Sequence, residues 1–588
     1  MLEAKSSSNV RPIILKEDVR RDLGEVAVKS NIMVARIVSE IVRSTLGPRG
    51  MDKAIIGKNG DFIITNDGAT ILKKVKLEHP TAKIMVEAAD AQDAEVGDGT
   101  TTSVVLAGEL LTRAEGLLNQ GVHAAIIING FSNALQKAID VLERIAVSVD
   151  VKNDEALKEV AKTAMNAKII RVVGSIDRFS ELAVKLARKA LEEYNKKLKL
   201  DLDNIKIVKK EGASLNDSVV VDGYVIDDRE IVNPDMPTFV ENASIALIRG
   251  LEIKELSDRG EEPGKTTRLT INALGEYETY LGKRSEMVKK IINKIEQAGA
   301  NVVLVNRGLD EVFEHHLAKA EILAVKRIFK PDMERIARLT GGTVVASLNE
   351  LTSEKLGHAE AVEEWKISRT EKCVLIKGCK GSRASSVILR GGVTHILDEA
   401  ERALHDALCT VKNTIEDPRV IFGGGSPEME IASHLRKYAP SVGGKEQLAV
   451  EAFAEAMEII PKTLAENAGL DLFDTLGDLR VRHSRGEIWA GVDVLGRKTT
   501  NMKKMKVYEP LKVKLHALKV ATSVAKTILR IDEVLVRKRI KGEKPPQTEE
   551  EYEEREKKLT EALKKELAPT KLSKKLGTTE DGTSDRFP

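Results

Sequence analysis

The stretch Gly97-Asp98-Gly99-Thr100-Thr101-Thr102 places a carboxylate, flexible glycines and three hydroxyls just before a long apolar helical pattern. That pattern continues over 103–118, so a helix is expected to begin at about Thr100. The free N–H groups and the positive dipole at such a start favour an anion by about 0.3–1 kcal/mol. Because Asp98 would repel a phosphate, a divalent cation between the two is the economical interpretation. An ordinary Asp-Gly-Thr helix cap fits these six residues equally well.

The composition of the 588-residue chain indicates a multidomain globular protein, because 42% hydrophobic residues suffice for about three or four domains. A net charge of +2 argues against a surface built for nucleic acid or for an anionic membrane. No apolar run approaches the length of about eighteen residues that a membrane span needs, and residues 1–10 lack a signal-peptide core. We therefore expect a cytoplasmic protein. Cys373, Cys379 and Cys409 have no nearby histidine cluster and predict buried thiols rather than disulfides or a zinc site.

The first two hundred residues predict a mainly helical region. Its expected elements are a helix over 17–46 that stops at Gly47-Pro48, a hairpin over 53–64, a helix that opens at Asn66-Asp67-Gly68, and helices within 82–147 and 153–200. Near Val219 the pattern becomes rich in strands and turns, which predicts a domain boundary.

The middle of the chain alternates between helical and extended patterns from Ser285 onwards. The expected elements are helix 287–297, strand 302–305, helix 311–319, strand 322–325, helix 333–339 and strand 343–346. Such alternation predicts an α/β layer with parallel strands. The stretch 254–283 interrupts it and reads as a protruding insertion, with a disordered loop as the alternative.

Helices are expected again from His395 to Val536, with interruptions, so a helical block returns after the α/β middle. Such a pattern suggests one domain inserted within another. The tail from Lys541 carries Glu and Lys at favourable i,i+4 spacings but only a thin apolar stripe. We expect it to be a solvated extension, partly helical or disordered.

Four glycine-containing elements favour a nucleotide. No P-loop motif is present, but glycine loops at 46–50 and 423–426 adjoin helical patterns, and Asp-Gly helix starts occur near Asp67 and Asp98. Glycine lets backbone N–H groups approach a ligand closely. Each element alone is better explained as a plain turn or cap; together they indicate phosphate binding.

Six motifs resemble those of group II chaperonins, with the nearest likeness to the archaeal thermosome subunits. The motifs are TLGPRGMDK at 45–53, ITNDGAT at 64–70, GDGTTT at 97–102, LRGG at 389–392, DEAERALHDAL at 398–408 and GGGSPE at 423–428. The resemblance runs from about Asn9 to Arg539, and the combination is highly specific.

The resemblance implies a site for ATP and Mg²⁺. Asp98 would bind the metal ion, and the β- and γ-phosphates would lie against the helix start formed by Gly99, Thr100, Thr101 and Thr102. The other implied nucleotide-binding residues are Thr45, Leu46, Gly47 and Pro48 on the α-phosphate and base side, Asn166 and Lys168 in a motif poorer in Ser and Thr than is usual in the family, Gly424 on ribose and adenine, and Asp493 on the ribose hydroxyls.

Asp67 and Asp406 would position and deprotonate the attacking water, as carboxylates do in phosphoryl transfer. The pattern around Asp406 gives no such indication. Leu397, Leu404 and their neighbours form the buried stripe of that helix, so periodicity alone predicts a solvated aspartate on the opposite face. We therefore expect hinge closure to bring Asp406 to the nucleotide.

The implied fold class is a multidomain α and α/β protein. Its parts would be a mainly helical equatorial domain (1–152 and 407–542), a small intermediate domain (153–221 and 377–406), an α/β apical domain (222–376) with a lid insertion at 254–283, and a charged tail (543–588). The insertion contains Pro263-Gly264 and is poor helix material, and the tail lacks the Gly-Met-rich end of many relatives. The first of these departures bears on the length and closure of the lid.

The implied function is a chaperone subunit that binds non-native proteins and encloses them in a double ring of identical or paralogous subunits, driven by Mg-ATP hydrolysis. No nucleic acid or membrane partner is expected. A regulatory or structural ring subunit with little turnover is the alternative. A small-molecule kinase is a third, for which the sequence has no acceptor-substrate signature.

Overall fold

The computed structural model describes residues 19–56, 62–75, 77–168, 170, 173–194, 197–227, 229–250, 274–346, 350–367, 372–379 and 385–537. The chain divides into two compact units, one of residues 1–27 with 532–588 and one of residues 28–531. The tail assigned to 543–588 lies outside the described residues.

In the first unit, strand β1 (Val19–Leu23) pairs antiparallel with β20 (Glu533–Arg537). The helices predicted over 17–46 and up to Val536 are therefore wrong at these ends. Gly24, at φ +54°, breaks the extended backbone after β1, and its N–H donates to Asp532 O at 2.8 Å. The two short segments satisfy each other's backbone groups, which sequence periodicity over one segment cannot reveal.

The helices within the described ranges are α1 (Gly24–Arg43), α2 (Gly68–Val75), α3 (Pro80–Val96), α4 (Thr100–Asn119), α5 (Ala124–Ile145), α6 (Asp154–Met165), α7 (Ile176–Lys189), α8 (Leu274–Gln297), α9 (Glu311–Lys319), α10 (Lys330–Thr340), α11 (Thr394–Glu416), α12 (Ser426–Val442), α13 (Gly444–Met457), α14 (Ile459–Ala468), α15 (Leu472–Ser484) and α16 (Leu511–Leu529). None of them is both long enough and apolar enough to span a bilayer.

The remaining strands are β2 (Lys53–Ile56), β3 (Phe62–Thr65), β4 (Val147–Ser148), β5 (Leu191–Tyr194), β6 (Lys197–Leu200), β7 (Ile205–Glu211), β8 (Val219–Asp222), β9 (Tyr224–Ile226), β10 (Phe239–Ile248), β11 (Val302–Val305), β12 (Leu323–Val325), β13 (Gly357–Lys366), β14 (Lys372–Cys379), β15 (Ser385–Gly391), β16 (Arg419–Phe422), β17 (Ala490–Asp493), β18 (Lys498–Asn501) and β19 (Tyr508–Pro510). The predicted hairpin is confirmed as β2 and β3, and its turn lies outside the described residues.

A single helical core joins the first and last thirds of the sequence. Buried residues between Ile32 and Ile145 pack with buried residues between Ile421 and Leu529. The rings of Phe131 in α5 and Phe453 in α13, for example, meet edge to face at 5.7 Å between centroids. Helical segments far apart in sequence thus share one core, while the domain boundaries stay predictions.

The middle of the chain forms a six-stranded mixed sheet in the order β12-β11-β10-β13-β14-β9. Strands β10, β11 and β12 are parallel, as the alternating pattern predicts, whereas β13, β14 and β9 run antiparallel. The predicted strand 343–346 is wrong, because its Val345 makes only a single bridge to Ile248. Separate apolar clusters contain residues of this sheet, one with α8 and α9 and the other with α10.

Helix α8 begins at Leu274, thirteen residues before the predicted start at Met287. The proposed insertion at 254–283 therefore ends within a helix, and its residues 254–273 lie outside the described part of the chain.

Another apolar cluster, called the third cluster after the two that contain the six-stranded sheet, packs α6, α7 and α11 against the sheet β7-β15-β8. The predicted helical region ends here at Lys189 rather than at Leu200, because the hairpin β5–β6 follows it. Leu198 and Leu200 alternate with Lys199 and pack on this cluster, and such a period-two pattern suits a strand.

The joint between α3 and α4 fixes the opening motif. Gly97 (φ +73°) caps α3 and Gly99 (φ +79°) precedes α4, so Asp98 is held between two left-handed residues. The predicted helix start at Thr100 is confirmed. A Cβ on Gly97 would lie 2.4 Å from Cys409 Sγ of α11, so the joint also determines how closely α11 packs.

We predict that Gly97→Ala destabilises the protein by about 2–4 kcal/mol, because it combines a left-handed alanine with overpacking against Cys409. Gly116→Ala, in the exposed interior of α4 with nothing within 4 Å of the new Cβ, is the matched control. It should stabilise by about 0.5–1 kcal/mol. Guanidinium unfolding midpoints measure both, and equal shifts would contradict the packing argument.

Candidate functional site

One cavity of about 160 Å³ brings together most of the residues that the motifs singled out. Its walls come from the loop after α1, the starts of α2 and α4, the end of α6, and the helices α11 and α16. The lining residues are Thr45, Leu46, Gly47, Asn66, Asp67, Gly97, Asp98, Gly99, Thr100, Thr101, Thr102, Thr163, Ala164, Ala167, Lys168, Asp406, Glu509, Val513, Lys514 and Ala517.

Asp67 is the cap of α2 and faces the start of α4. Its Oδ2 accepts from Thr70 N–H at 2.8 Å, and its Oδ1 accepts from the Thr100 hydroxyl at 3.3 Å. Burial alone would raise the pKa of Asp67, but the Lys168 charge and these hydrogen bonds outweigh burial and hold the pKa below its ordinary value. Asp67 is thus an ionised carboxylate with its position fixed.

Lys168 pairs its ammonium group with Asp406 and is also affected by the charge of Asp67. Its Nζ lies 3.2 Å from Asp406 Oδ2, and its side chain is 8% exposed. Burial opposes the charged form, yet the charges of Asp406 and Asp67 raise the pKa of Lys168 above its ordinary value. The preceding residue is anchored as well, since Asn66 Nδ2 donates to Ala167 O. The Lys168 side chain, just after the end of α6, is therefore a positively charged group that lines the cavity.

Asp406 lies inside the cavity rather than in solvent, so the prediction from helical periodicity is wrong. Its side chain is only 16% exposed. Helix α11 is covered on two faces, because its apolar stripe packs in the third cluster while Cys409 and Asn413 meet the end of α3. Asn413 Nδ2 donates to Val96 O at 2.9 Å. The expectation that a hinge must close to bring Asp406 to the site is also wrong for this structure, where it already lines the cavity.

The negative charge of the site exceeds its positive charge. Burial, with the nearby charges of Asp67 and Asp98, raises the pKa of Asp406 to about 8, although Lys168 opposes the shift. The two ammonium groups of Lys168 and Lys514 cannot balance the four carboxylates of the cavity, those of Asp67, Asp98, Asp406 and Glu509. A bound cation would therefore be stabilised in this cavity.

Asp98 is the carboxylate best suited to a metal ion. Its Oδ1 accepts from Gly99 N–H at 2.6 Å, and burial raises its pKa to about 6. Within the described residues no lysine or arginine pairs with it, and no cluster of three His, Cys, Asp or Glu side chains could enclose a metal. One carboxylate beside three threonine hydroxyls suits Mg²⁺, which keeps waters and takes phosphate oxygens as ligands.

A second cavity of about 250 Å³ adjoins the first and shares Leu46, Gly47, Thr102 and Thr163 with it. It is more apolar, with Ile460, Leu464, Val494 and Met505 among its walls, and it contains the predicted residues Pro48, Asn166, Gly424 and Asp493. A polar cavity beside an apolar one matches the division of a nucleotide into phosphates and base.

Gly424 and Asp493 are held by backbone contacts in this second cavity. Val492 N–H donates to Gly424 O at 2.8 Å. Asp493 Oδ1 accepts from Gly496 N–H at 2.8 Å and from Leu495 N–H at 3.2 Å, so the same carboxylate closes the turn after β17.

Sequence reasoning missed Lys514 and Glu509, which line both cavities. Lys514 Nζ lies 2.6 Å from Glu428 Oε1 and 3.1 Å from Glu509 Oε2, and all three side chains are largely buried. A signal existed, because Lys514 occupies a position in the apolar stripe of α16 between Leu511 and Leu518. A lysine at such a position is stable only with buried partners, and one of them, Glu428, lies 86 residues away in sequence.

Two of the three cysteines, Cys373 and Cys409, are buried as predicted, and Cys379 is half-buried. Burial raises the pKa of the Cys409 thiol to about 12. It therefore acts here as a packing residue beside Gly97.

The chain is similar to chaperonin proteins. The family model described as the TCP-1/cpn60 chaperonin family matches residues 38–539. Relatives include the thermosome subunit beta of Archaeoglobus fulgidus, 46% identical over 90% of this chain and 96% of its own, and the thermosome subunit of Methanopyrus kandleri, 46% identical over 89% and 94%. The thermosome subunit of Pyrococcus horikoshii is 45% identical over 90% and 95%.

We predict that Asp406→Asn alters the pH dependence of stability. With a pKa of about 8, Asp406 holds a proton in the folded state that an unfolded aspartate, of pKa about 3.9, has lost. Its contribution to the free energy of unfolding therefore falls as the pH rises from about 4 to about 8. The difference in melting temperature, variant minus wild type, should grow over that window without added metal. Asp398→Asn, which lies on the same helix outside the cavity and pairs with Lys209, should show no such trend. A flat difference for Asp406→Asn would refute the assignment.

We predict that Lys514→Met costs about 3–5 kcal/mol, because it leaves Glu428 and Glu509 without their buried cation. Glu428 Oε2 already lacks a hydrogen-bond partner within the described residues, so no second donor is available there. Lys519→Met, exposed on the same helix, should stay within about 0.5 kcal/mol of wild type. Denaturant titration compares the two, and similar losses would contradict a special role for Lys514.

Proposed function

The chain belongs to the TCP-1/cpn60 chaperonin family, and we propose that its chaperone cycle is driven by hydrolysis of Mg-ATP in the two adjoining cavities. It is a chaperonin and acts as a molecular chaperone, and that family implies use of a nucleotide. The observation that carries the ATPase proposal is the meeting of Asp67, Asp98, Asp406 and Lys168 at the start of α4 in one cavity.

The phosphates would lie in the first cavity. Thr100, Thr101 and Thr102 line the cavity at the start of α4, where their N–H groups and hydroxyls could bind an anion, and Lys168 would supply a positive charge for the terminal phosphate. A Mg²⁺ ion held by Asp98 would neutralise charge on the phosphates.

Two carboxylates are placed to handle the attacking water. Asp67 stays ionised and is fixed by Thr70 and Thr100, so it can accept a hydrogen bond from water and orient it. Asp406, across the cavity, can accept the proton once added positive charge lowers its pKa. In this division of roles Asp67 orients the water and Asp406 is the general base.

Ribose and adenine would occupy the second cavity. Gly424 has no side chain to block the base, and Leu46, Ile460 and Leu464 provide apolar walls. Asp493 would accept from the ribose hydroxyls with the oxygen that the turn leaves available.

We expect assembly with further copies or paralogues into a double ring. Met33 and Ile37 form an exposed apolar pair one turn apart on α1, and Ile56 and Phe62 are exposed on the β2–β3 hairpin. Exposed apolar groups of this kind favour association. The relatives are named as subunits, and two of them are the alpha and beta subunits of one organism.

Non-native proteins would bind apolar surface in the middle of the chain, where Phe239 and Phe329 are exposed.

Closure of a lid formed by 254–283 is also part of the proposal. A cytoplasmic location is likewise proposed. A regulatory subunit with little turnover is the second candidate, and the complete set of three carboxylates and one lysine argues against it.

We predict a large particle whose ATP hydrolysis falls at least about a hundredfold in Asp406→Ala, because a general base contributes about 10²–10⁴-fold. ADP binding should remain within a few-fold of wild type. Asp398→Ala, on the same helix but outside both cavities, is the matched control and should hydrolyse ATP normally. Native mass measurement and a phosphate-release assay test this. A monomer, or unchanged hydrolysis in Asp406→Ala, would refute the proposal; a ring with little wild-type turnover would favour the regulatory alternative.

A further inference from the structure

A buried histidine outside the two cavities connects α12 with strand β17. His483, near the end of α15, points Nδ1 at Glu430 Oε2 of α12 at 2.6 Å and Nε2 at Ala490 O of β17 at 2.9 Å. Both His483 and Glu430 are buried. A second histidine, His434, lies on the outer side of the same carboxylate, 3.1 Å from Glu430 Oε1, and is more exposed.

The two partners of His483 are both oxygen atoms. A carbonyl oxygen can only accept, so Nε2–H donates to Ala490 O. Burial alone would raise the pKa of Glu430, but His483 and His434 lower it below its ordinary value, so Nδ1 lies against an ionised carboxylate. A hydrogen bond in which one partner is ionised is about twice as strong as a neutral one.

The carbonyl that His483 holds belongs to the strand that forms one wall of the second cavity. Val492 N–H, two residues on, donates to Gly424 O, and Asp493 follows at once. Gly491 between them packs closely on the Gly424 loop, because a Cβ there would lie 2.8 Å from Gly424 O and 2.7 Å from Met502 Cγ. A small shift of β17 would therefore move both Asp493 and the Gly424 loop.

Glu430 is tied to the same loop from the other side. It lies in the second turn of α12, which starts at Ser426 directly after Gly425. The pair Glu430–His483 thus spans from the helix that follows the glycine loop to the strand that packs on it. No other hydrogen bond from a side chain reaches the Ala490 carbonyl within the described residues.

We propose that His483 is a positioning residue for the ribose and base end of the nucleotide site, acting through the Ala490 carbonyl and oriented by Glu430. The inference rests on the proposed nucleotide function. It assigns to His483 an effect on nucleotide affinity that is separate from the hydrolytic step, since Asp67, Asp98 and Asp406 lie in the other cavity.

The test compares His483→Gln with His434→Gln, a matched control that contacts the same carboxylate but not β17. His483→Gln should raise the KM for ATP about tenfold, leave kcat within about twofold, and leave inhibition by Mg-tripolyphosphate, which has no ribose or base, unchanged. Amide exchange at Val492 should accelerate about tenfold in the nucleotide-free protein. His434→Gln should match wild type in every measurement.

Wild-type KM and Val492 exchange in His483→Gln would overturn the proposal, and so would equal weakening of ATP and tripolyphosphate, which indicates general loosening. If His483→Gln fails to fold, Glu430→Gln tests the proposal instead, because a neutral partner weakens the hydrogen bond to the His483 ring. The KM of Glu430→Gln for ATP should rise about threefold. An unchanged KM overturns the proposal. If wild type hydrolyses no ATP, the proposed function fails, while Val492 exchange still reports whether His483 holds β17.

Discussion

The carboxylates of Asp67, Asp98, Asp406 and Glu509 share one cavity with only two ammonium groups, those of Lys168 and Lys514, and this imbalance of charge governs the site. Burying uncompensated charge is expensive, so the pKa values of Asp98 and Asp406 rise to about 6 and about 8. The surrounding backbone reduces the free-energy cost of burying these carboxylates, because α2 and α4 both begin at the cavity and direct N–H groups towards it. A pocket of this kind is unfavourable when empty and receptive to a divalent cation with a polyanion.

The glycines matter here for geometry rather than for flexibility. Gly97 and Gly99 hold Asp98 in a left-handed joint, and the missing side chain of Gly97 lets α11 approach. At the other end of the site, Gly491 allows β17 to rest directly on the Gly424 loop. In both contacts an added Cβ would clash with neighbouring atoms. The glycines therefore set how closely α11 and β17, which carry Asp406 and Asp493, approach the rest of the site.

Sequence reasoning succeeded where a pattern was local and failed where a partner was distant. The start of α4, the β2–β3 hairpin and the alternation through β11, α9 and β12 follow from spacing and turn residues, and the structure confirms them. The strand pair β1–β20 was missed because each strand needs the other, more than five hundred residues away, to satisfy its backbone. Asp406 was misjudged for a similar reason. Periodicity detects one buried face of α11, and the second face is covered by segments distant in sequence, among them the end of α3.

By itself, the sequence determined the helix starts, the glycine loops and the set of acidic residues that a metal and a phosphate require, because caps and turns depend on residues within a few positions of each other. Tertiary structure alone decided that Asp67, Asp98, Asp406 and Lys168 meet in one cavity, that Lys514 is buried between two glutamates, and that His483 holds strand β17. The physical reason is that charge compensation and desolvation act through space between segments up to several hundred residues apart, which no local pattern records.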